Sequence, residues 1–348
     1  MQELAFYRKY RPAKWDDVLG QNHVVGVLEK SVRDSTVSHA YLFVGSRGTG
    51  KTSVARIFAR EIGVTANDLY EIDAASNRGI EDIKELREGV RALPLESKYK
   101  VYIIDEVHML SKDAWGALLK TLEEPPKHVI FILATTEFHK VPETITSRCQ
   151  VFTFRKPATS ILRGLVEDIA KREGYELDGG SAELIALLGD GSFRDAEGTL
   201  ERVLNFAGKK SKKISRSAVE EITGAPKTAL VNDFLSALSG KDLEKGMGVV
   251  KKAGKENLDM KLYLKLIIER LRFALMLKYA PKMETEIKND LSEDDLKFLK
   301  SLPAGSLNSK TLVALLDAYQ NLDRAFIPEL PLELALVKLL GDLESNQD

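Results

Sequence analysis

The chain has 348 residues, 44% hydrophobic and 30% charged, which is the balance of a folded chain of two or three domains and excludes wholesale disorder. Its 51 Lys and Arg against 52 Asp and Glu give a formal net charge of -1, so any nucleic-acid binding must come from a local patch. The single cysteine, Cys149, excludes an intramolecular disulfide and a multi-cysteine zinc site and suggests a reducing compartment.

Apolar strands are predicted at Ala40–Val44, Leu69–Asp73, Val101–Asp105, Val129–Thr135 and Gln150–Phe154. They alternate with amphipathic helices such as Ser53–Ile62 and Lys112–Glu123, the latter capped by Ser111 and stopped by Pro125-Pro126. This alternation predicts a parallel sheet with helical crossovers, and its near-continuous apolar third and fourth strands are of the kind buried on both faces. A further helix, Ile80–Ala92, carries mixed charges around a stripe of Ile80, Ile83, Leu86 and Val90, which by itself is a solvated face with i,i+4 pairs. After Pro157 the strand signal ends. Helices are expected at Thr159–Arg172, Ser181–Leu188, Phe193–Phe206 and Arg216–Thr223, then beyond a break at Gly224-Ala-Pro226 as far as Leu262–Tyr279 and Leu332–Leu340. The expected organisation is an α/β domain over 1–157, a small helical domain over 158–224 and a larger helical domain over 225–348. No run approaches the ~18 apolar residues of a membrane span, and Met1–Pro12 lacks the apolar region of a secretory signal. A cytoplasmic protein is expected.

Gly45-Ser46-Arg47-Gly48-Thr49-Gly50-Lys51-Thr52 fits the phosphate-loop pattern GxxxxGK[ST] and lies between a predicted strand and a predicted helix. The glycines let backbone N–H groups curl around a phosphate, Lys51 reaches the outer phosphates, and the Thr52 hydroxyl suits Mg²⁺. The helix that begins near Ser53 points its positive end at the same anion. The third strand ends in Asp105-Glu106, an acidic pair that in an NTPase holds Mg²⁺ (Asp105) and polarises the attacking water (Glu106), and that in isolation merely caps a turn. His108 reads as a packing residue without a catalytic role. Thr135-Thr136 either places a hydroxyl near a γ-phosphate or simply finishes a strand with β-branched residues. Arg148 reads as surface charge or an ion-pair partner. Arg194 opens a helix against its dipole, a conflict that points to a purpose such as holding a phosphate.

Together with Tyr7-Arg-Lys-Tyr-Arg-Pro12, Val18-Leu-Gly-Gln21, Glu71-Ile-Asp-Ala-Ala-Ser76, Ile104-Asp-Glu-Val-His-Met-Leu110, Ala117-Leu-Leu-Lys-Thr-Leu-Glu-Glu-Pro-Pro126, Ser147-Arg-Cys149 and Gly191-Ser-Phe-Arg-Asp-Ala196, these residues carry a family likeness. The chain resembles the AAA+ ATPases of clamp loaders, the bacterial DNA polymerase III gamma/tau family in particular. The likeness runs almost continuously from Tyr7 to Ala196. Beyond that, only helicity and a Pro331-Leu-Glu-Leu-Ala-Leu ending match.

The resemblance implies an AAA+ P-loop NTPase core with a five-stranded parallel sheet, a helical lid and an all-helical C-terminal collar for oligomerisation. It implies ATP and Mg²⁺ as ligands. Tyr10, Arg11, Pro12 and Val18 would line the adenine pocket, and Gly45 to Ser53 would hold the phosphates. Lys51, Thr52, Asp105 and Glu106 keep the roles given above, with Thr136 as first sensor and Arg194 as second. Arg148 would be an arginine finger acting on ATP of a neighbouring subunit. Strand four would lie between the phosphate-loop strand and the Asp-Glu strand. Arg78, Lys84 and Lys120 fall where relatives grip the DNA backbone, although Asn77 and Gly79 replace two expected basic residues. The family's four-cysteine zinc module is replaced by Glu61–Tyr70, so no zinc is expected.

The implied function is that of the ATPase motor of a sliding-clamp loader in the bacterial replisome. Its partners would be the other subunits of a pentamer, the sliding clamp and primer–template DNA, with a polymerase-core contact only in a longer form. Two rivals stand beside it: an AAA+ translocase or branch-migration motor, and a non-hydrolysing scaffold subunit. A DExH helicase would need a second strand-rich domain, which 158–348 does not offer.

Overall fold

Five apolar segments form one parallel sheet in the order β2-β3-β4-β1-β5. These strands are β1 (Ala40–Val44), β2 (Leu69–Asp73), β3 (Lys100–Asp105), β4 (Val129–Thr135) and β5 (Gln150–Thr153). The computed structural model describes residues 4–76, 86, 88–207, 212–284, 287, 291, 293–303 and 307–341. The expected strand order holds: β4 separates β1 from β3, with Val44 opposite Thr135 and Ile104 opposite Leu133. Every residue of β4 is buried, as a strand covered on both faces requires.

Side-chain alternation splits the core between those two faces. Leu42, Tyr102, Ile104, Phe131 and Leu133 pack with Trp115, Leu118 and Leu122 of the helix Lys112–Glu123. Tyr41, Phe43, Ile103, Ile130 and Ile132 pack with Val54 and Phe58 of the helix Lys51–Glu61 and with Leu28 of the helix Asn22–Arg33. The Ser111 hydroxyl caps the helix Lys112–Glu123 by accepting from Ala114 N–H at 3.2 Å, as expected. The helix Lys51–Glu61 starts two residues before its predicted Ser53, because Gly50 takes up the left-handed conformation just ahead of it. Lys100 joins β3 because its ammonium finds a partner inside: it donates to Gly89 O at 2.8 Å and lies 4.9 Å from the Tyr70 ring centroid.

The chain divides into two compact units, Met1–Ile169 with Ala186–Glu201, and Ala170–Ile185 with Arg202–Asp348. The second unit corrects one expectation. Strand pairing does recur after Pro157, since Glu176–Leu177 and Lys213–Ile214 form a short parallel pair. Two-residue strands carry too little alternation to show in a sequence. The rest of this unit is helical, including Thr228–Gly240, Leu243–Lys255, Met260–Tyr279, Ser309–Asn321 and Leu330–Leu340. Asp242, Asp259 and Asn308 cap three of them through their side chains. Among the described residues no helix is long and apolar enough to cross a membrane.

The segment Glu61–Tyr70, which stands where a zinc module was expected to be missing, is tied down by one carboxylate. Asp68 is fully buried and accepts from the backbone N–H groups of Leu95 (2.6 Å), Glu96 (2.9 Å) and Ser97 (2.8 Å). Burial alone raises its pKa, but these bonds and the Ser97 hydroxyl outweigh it and bring the value down to about 2. A depressed carboxylate stabilises the fold above its unfolded pKa and loses that contribution as pH falls through the folded value. Asp68→Asn is therefore expected to be less stable than wild type at neutral pH, with the gap closing between roughly pH 4 and pH 2. Urea denaturation across that range checks it; a pH-independent gap contradicts it.

Candidate functional site: a nucleotide pocket at the carboxyl edge of the sheet

The Gly45–Thr52 loop leaves β1 at the carboxyl edge of the sheet, where ligands collect in open α/β folds. Gly48 sits at φ +72°, and a Cβ there would come within 1.9 Å of Ser192 Oγ. The loop must be bare at this point because another segment lies against it. Phe193 N–H donates to Gly48 O at 2.9 Å, which docks the start of the helix Phe193–Ala207 on the phosphate loop.

Within the loop the buried Lys51 ammonium donates to Gly45 O (2.8 Å) and Ser46 O (3.0 Å). Burial lowers its pKa, while Asp105 and Glu106 work in the opposite direction. Thr52 Oγ1 donates to Asp105 Oδ2 at 2.7 Å. A hydroxyl and a carboxylate so placed are hard oxygen donors that fit Mg²⁺, an ion usually held by one or two protein oxygens together with substrate phosphates. Among the described residues no group of three or more His, Cys, Asp or Glu could hold a metal by itself.

Glu106 has φ +47°, an uncommon conformation for a side-chain-bearing residue at the end of a strand. Its carboxylate accepts from Thr136 Oγ1 at 2.9 Å and from Thr136 N at 3.3 Å. His108, with only 5% of its side chain exposed, has Nδ1 3.0 Å from Thr135 Oγ1 and 3.4 Å from Glu106 Oε2, and Nε2 3.5 Å from Glu137 Oε1. The histidine read as a packing residue thus also belongs to the polar cluster around Glu106. The ends of β3 and β4 are adjacent in the sheet, so the two threonines and the acidic pair meet there.

A cavity of about 540 Å³ opens over these groups. Its wall includes Arg47 to Ser53, Asp105, Glu106 and Arg194, together with Tyr10, Arg11, Pro12 and Val18. The volume falls within the usual range for a small-molecule site. Gly45 and Ser46 contribute through the carbonyls that hold Lys51 and do not line the wall. Thr136 does not line it either and reaches it through Glu106. Arg194 lies over the Tyr7 ring, 5.6 Å from its centroid.

Arg148 is not brought to this cavity. It precedes β5, whose first residue Gln150 pairs with Tyr41 near the start of β1, and so lies at the amino edge of the sheet. Its guanidinium donates to Glu123 Oε1 (2.8 Å) and Thr144 O (2.7 Å). Of the three proposed DNA contacts, Lys120 is exposed on the helix Lys112–Glu123, and Arg78 and Lys84 lie outside the described residues.

Sequence reasoning did not place Tyr7, Asp17, Leu165 or Glu197 in the wall, yet all four line it. Glu197 stands three residues after Arg194 on one helix, a spacing that puts both on the same face and was there to be used. Burial pushes the Glu197 carboxyl up to about 7 against the pull of Arg194. A raised carboxyl stabilises the fold below its unfolded pKa, and that contribution is lost as pH rises through the folded value. Between about pH 4.5 and pH 7 the wild type should therefore lose stability relative to Glu197→Gln, with a slope of up to about 1.4 kcal/mol per pH unit. Parallel denaturation curves across that window check this; equal pH profiles contradict it.

A phosphate loop, an acidic strand end and a threonine-bearing strand between them, on a parallel sheet of this order, define an AAA+ P-loop ATPase fold. Solved structures agree on the fold: Thermotoga maritima RuvB, the Holliday junction branch migration motor, superposes with a TM-score of 0.54 at 22% identity over 66% of this chain and 79% of that one. A family model for the DNA polymerase III, delta subunit matches residues 63–158. The chain is 36% identical to DNA polymerase III subunit tau of Bacillus subtilis over 97% of its own length and 63% of that protein. It is 34% identical to DNA polymerase III subunit gamma of Buchnera aphidicola subsp. Schizaphis graminum, over 83% of this chain and 85% of that one. The chain belongs to the DNA polymerase III gamma/tau subunit family. It spans less than two thirds of the length of the Bacillus relative.

Proposed function

We propose that this chain is the ATPase motor of a sliding-clamp loader, and that it hydrolyses Mg·ATP to load a clamp on primer–template DNA. The observation that carries the proposal is the hydrogen bond by which Thr136 holds Glu106 at the wall of the cavity that Lys51, Thr52 and Asp105 also line. Tyr10, Arg11, Pro12 and Val18 form the wall for the adenine, and Gly45 to Ser53 cradle the phosphates. Thr52 and Asp105 hold Mg²⁺, which neutralises charge on the phosphate oxygens when bound. Glu106 orients the attacking water and draws off its proton as the Pγ–O bond to ADP breaks. Thr136 keeps that carboxylate in place. Arg194, presented by a helix docked on the loop, reaches the same nucleotide.

The proposal extends to assembly. Residues 1–157 act as the ATPase core, 158–224 as a lid and 225–348 as a collar that joins subunits. Support for the collar comes from exposed apolar side chains on the second unit: Val313 and Leu316 on one helix, Leu330, Leu334 and Val337 on another, and Phe326 between them. Arg148, at the amino edge of the sheet, acts on the ATP of a neighbour. Lys120 with Arg78 and Lys84 contacts DNA phosphates without reading sequence. The partners are other loader subunits, the clamp and primed DNA. No structural zinc is needed. The branch-migration reading has the RuvB fold likeness in its favour, and at 22% identity that likeness speaks for the fold alone.

Glu106→Gln separates binding from hydrolysis. The variant is expected to bind Mg·ATP near normally and to turn over at least ~100-fold more slowly in the presence of primed DNA and clamp, whereas Lys51→Ala loses binding itself. Fluorescent-nucleotide titration and a phosphate-release assay give the two readouts. Near-normal turnover by Glu106→Gln overturns the assignment.

A further inference from the structure

Five carboxylates line the nucleotide cavity: Asp17, Asp73, Asp105, Glu106 and Glu197. Four of them are engaged. Asp17 accepts from Ala13 N (3.1 Å) and Lys14 N (3.2 Å), and Asp73 from Ala75 N (2.9 Å). Asp105 accepts from Thr52, and Glu106 from Thr136. Glu197 is only 6% exposed and, among the described residues, accepts no hydrogen bond; the part of it that stays open lines the cavity. A carboxylate of this kind, open only where the cavity meets it, is placed to accept from a ligand donor.

Its place along the helix says which part of the ligand that is. The helix Phe193–Ala207 begins on the phosphate loop, through Phe193 N–H to Gly48 O. The next residue, Arg194, lies over Tyr7, and two turns further Glu201 accepts from Phe6 N at 3.2 Å. Glu197 falls between these two, on the same face, and so faces the N-terminal segment that continues into Tyr10, Arg11 and Pro12. Unlike Asp105, which shares its proposed Mg²⁺ site with Thr52, Glu197 would meet a triphosphate as bare negative charge and be repelled by it. It belongs with the neutral end of the nucleotide, where an adenine presents an exocyclic amine.

Resting on the reading of this cavity as an ATP site, we infer that Glu197 is the residue that selects the base, its carboxyl oxygen accepting a hydrogen bond from the adenine 6-amino group. The carboxyl accepts whether ionised or neutral, and burial raises its pKa to about 7. Arg194 supplies the nearby positive charge that keeps the ionised form accessible. A site built to bond a particular amine discriminates against an analogue without it, since the buried acceptor is then left unpaired.

Equilibrium binding of ATP, purine riboside triphosphate (which lacks the 6-amino group) and 2′-deoxy-ATP to the full chain tests this, with wild type, Glu197→Leu and Glu197→Gln. The wild type is expected to prefer ATP over the purine analogue by about 10-fold or more. Glu197→Leu should lose that preference, and Glu197→Gln, whose amide oxygen still accepts, should keep most of it. Equal wild-type affinity for ATP and the purine analogue overturns the inference even if neither variant folds. The same ATP-to-purine ratio in wild type and Glu197→Leu also overturns it. A penalty that follows the 2′-hydroxyl instead of the amine does so too, by placing the carboxyl on the ribose. Failure of the wild type to bind any of the triphosphates is a different result, which removes the ATP reading beneath the inference.

Discussion

Strand β4 lies between β1 and β3, and the chemistry at the carboxyl edge of the sheet depends on that placement. The phosphate loop follows β1 and the acidic pair ends β3, so neither is the other's immediate neighbour in the sheet. β4 spans the gap with two threonines. Thr136 holds the Glu106 carboxylate, while Thr135 pairs through its hydroxyl with His108 Nδ1 and accepts on its carbonyl from Gly45 N–H at 3.1 Å. One strand end therefore touches both halves of the site. The fully buried β4, packed by Phe131 and Leu133 on one face and Ile130 and Ile132 on the other, gives that edge little freedom to move.

Much of this was legible from residues alone. Val101-Tyr-Ile-Ile and Val129-Ile-Phe-Ile-Leu-Ala are near-continuous apolar runs, which only a doubly covered parallel strand accommodates, and the GxxxxGK[ST] spacing located the anion site. The less visible parts depend on tertiary contact. Glu197 and Tyr7 are far apart in sequence and meet only because one helix docks on the loop through Gly48. His108 looked like packing because period and propensity carry no record of which polar atoms a ring will face. The pairing of Glu176–Leu177 with Lys213–Ile214 is too short for any periodic signal.

The role proposed for Arg148 calls for a second chain. Thr52, Asp105 and Glu106 meet at one edge, whereas Arg148 sits at the other, tied to Glu123 and Thr144. An arginine that stabilises charge at a γ-phosphate is worth about 10³–10⁵ in rate in other NTPases, and this one does not line the cavity of its own chain. The exposed apolar side chains of the second unit are the kind of surface that subunit association covers. On this account a single chain binds ATP and is incomplete as a catalyst.

The central claim, that a nucleotide held by one subunit is completed by Arg148 of the next, is tested most directly by mixing. Lys51→Ala subunits cannot bind ATP but still present Arg148, and Arg148→Ala subunits bind ATP but cannot assist a neighbour. ATP turnover is measured for each variant alone and for assemblies shown by native mass spectrometry to contain both, with primed DNA and clamp present. The account predicts partial recovery of turnover in the mixture when neither variant is active alone. No recovery in demonstrably mixed assemblies would contradict it, and would return Arg148 to its ion pair with Glu123 as a structural residue.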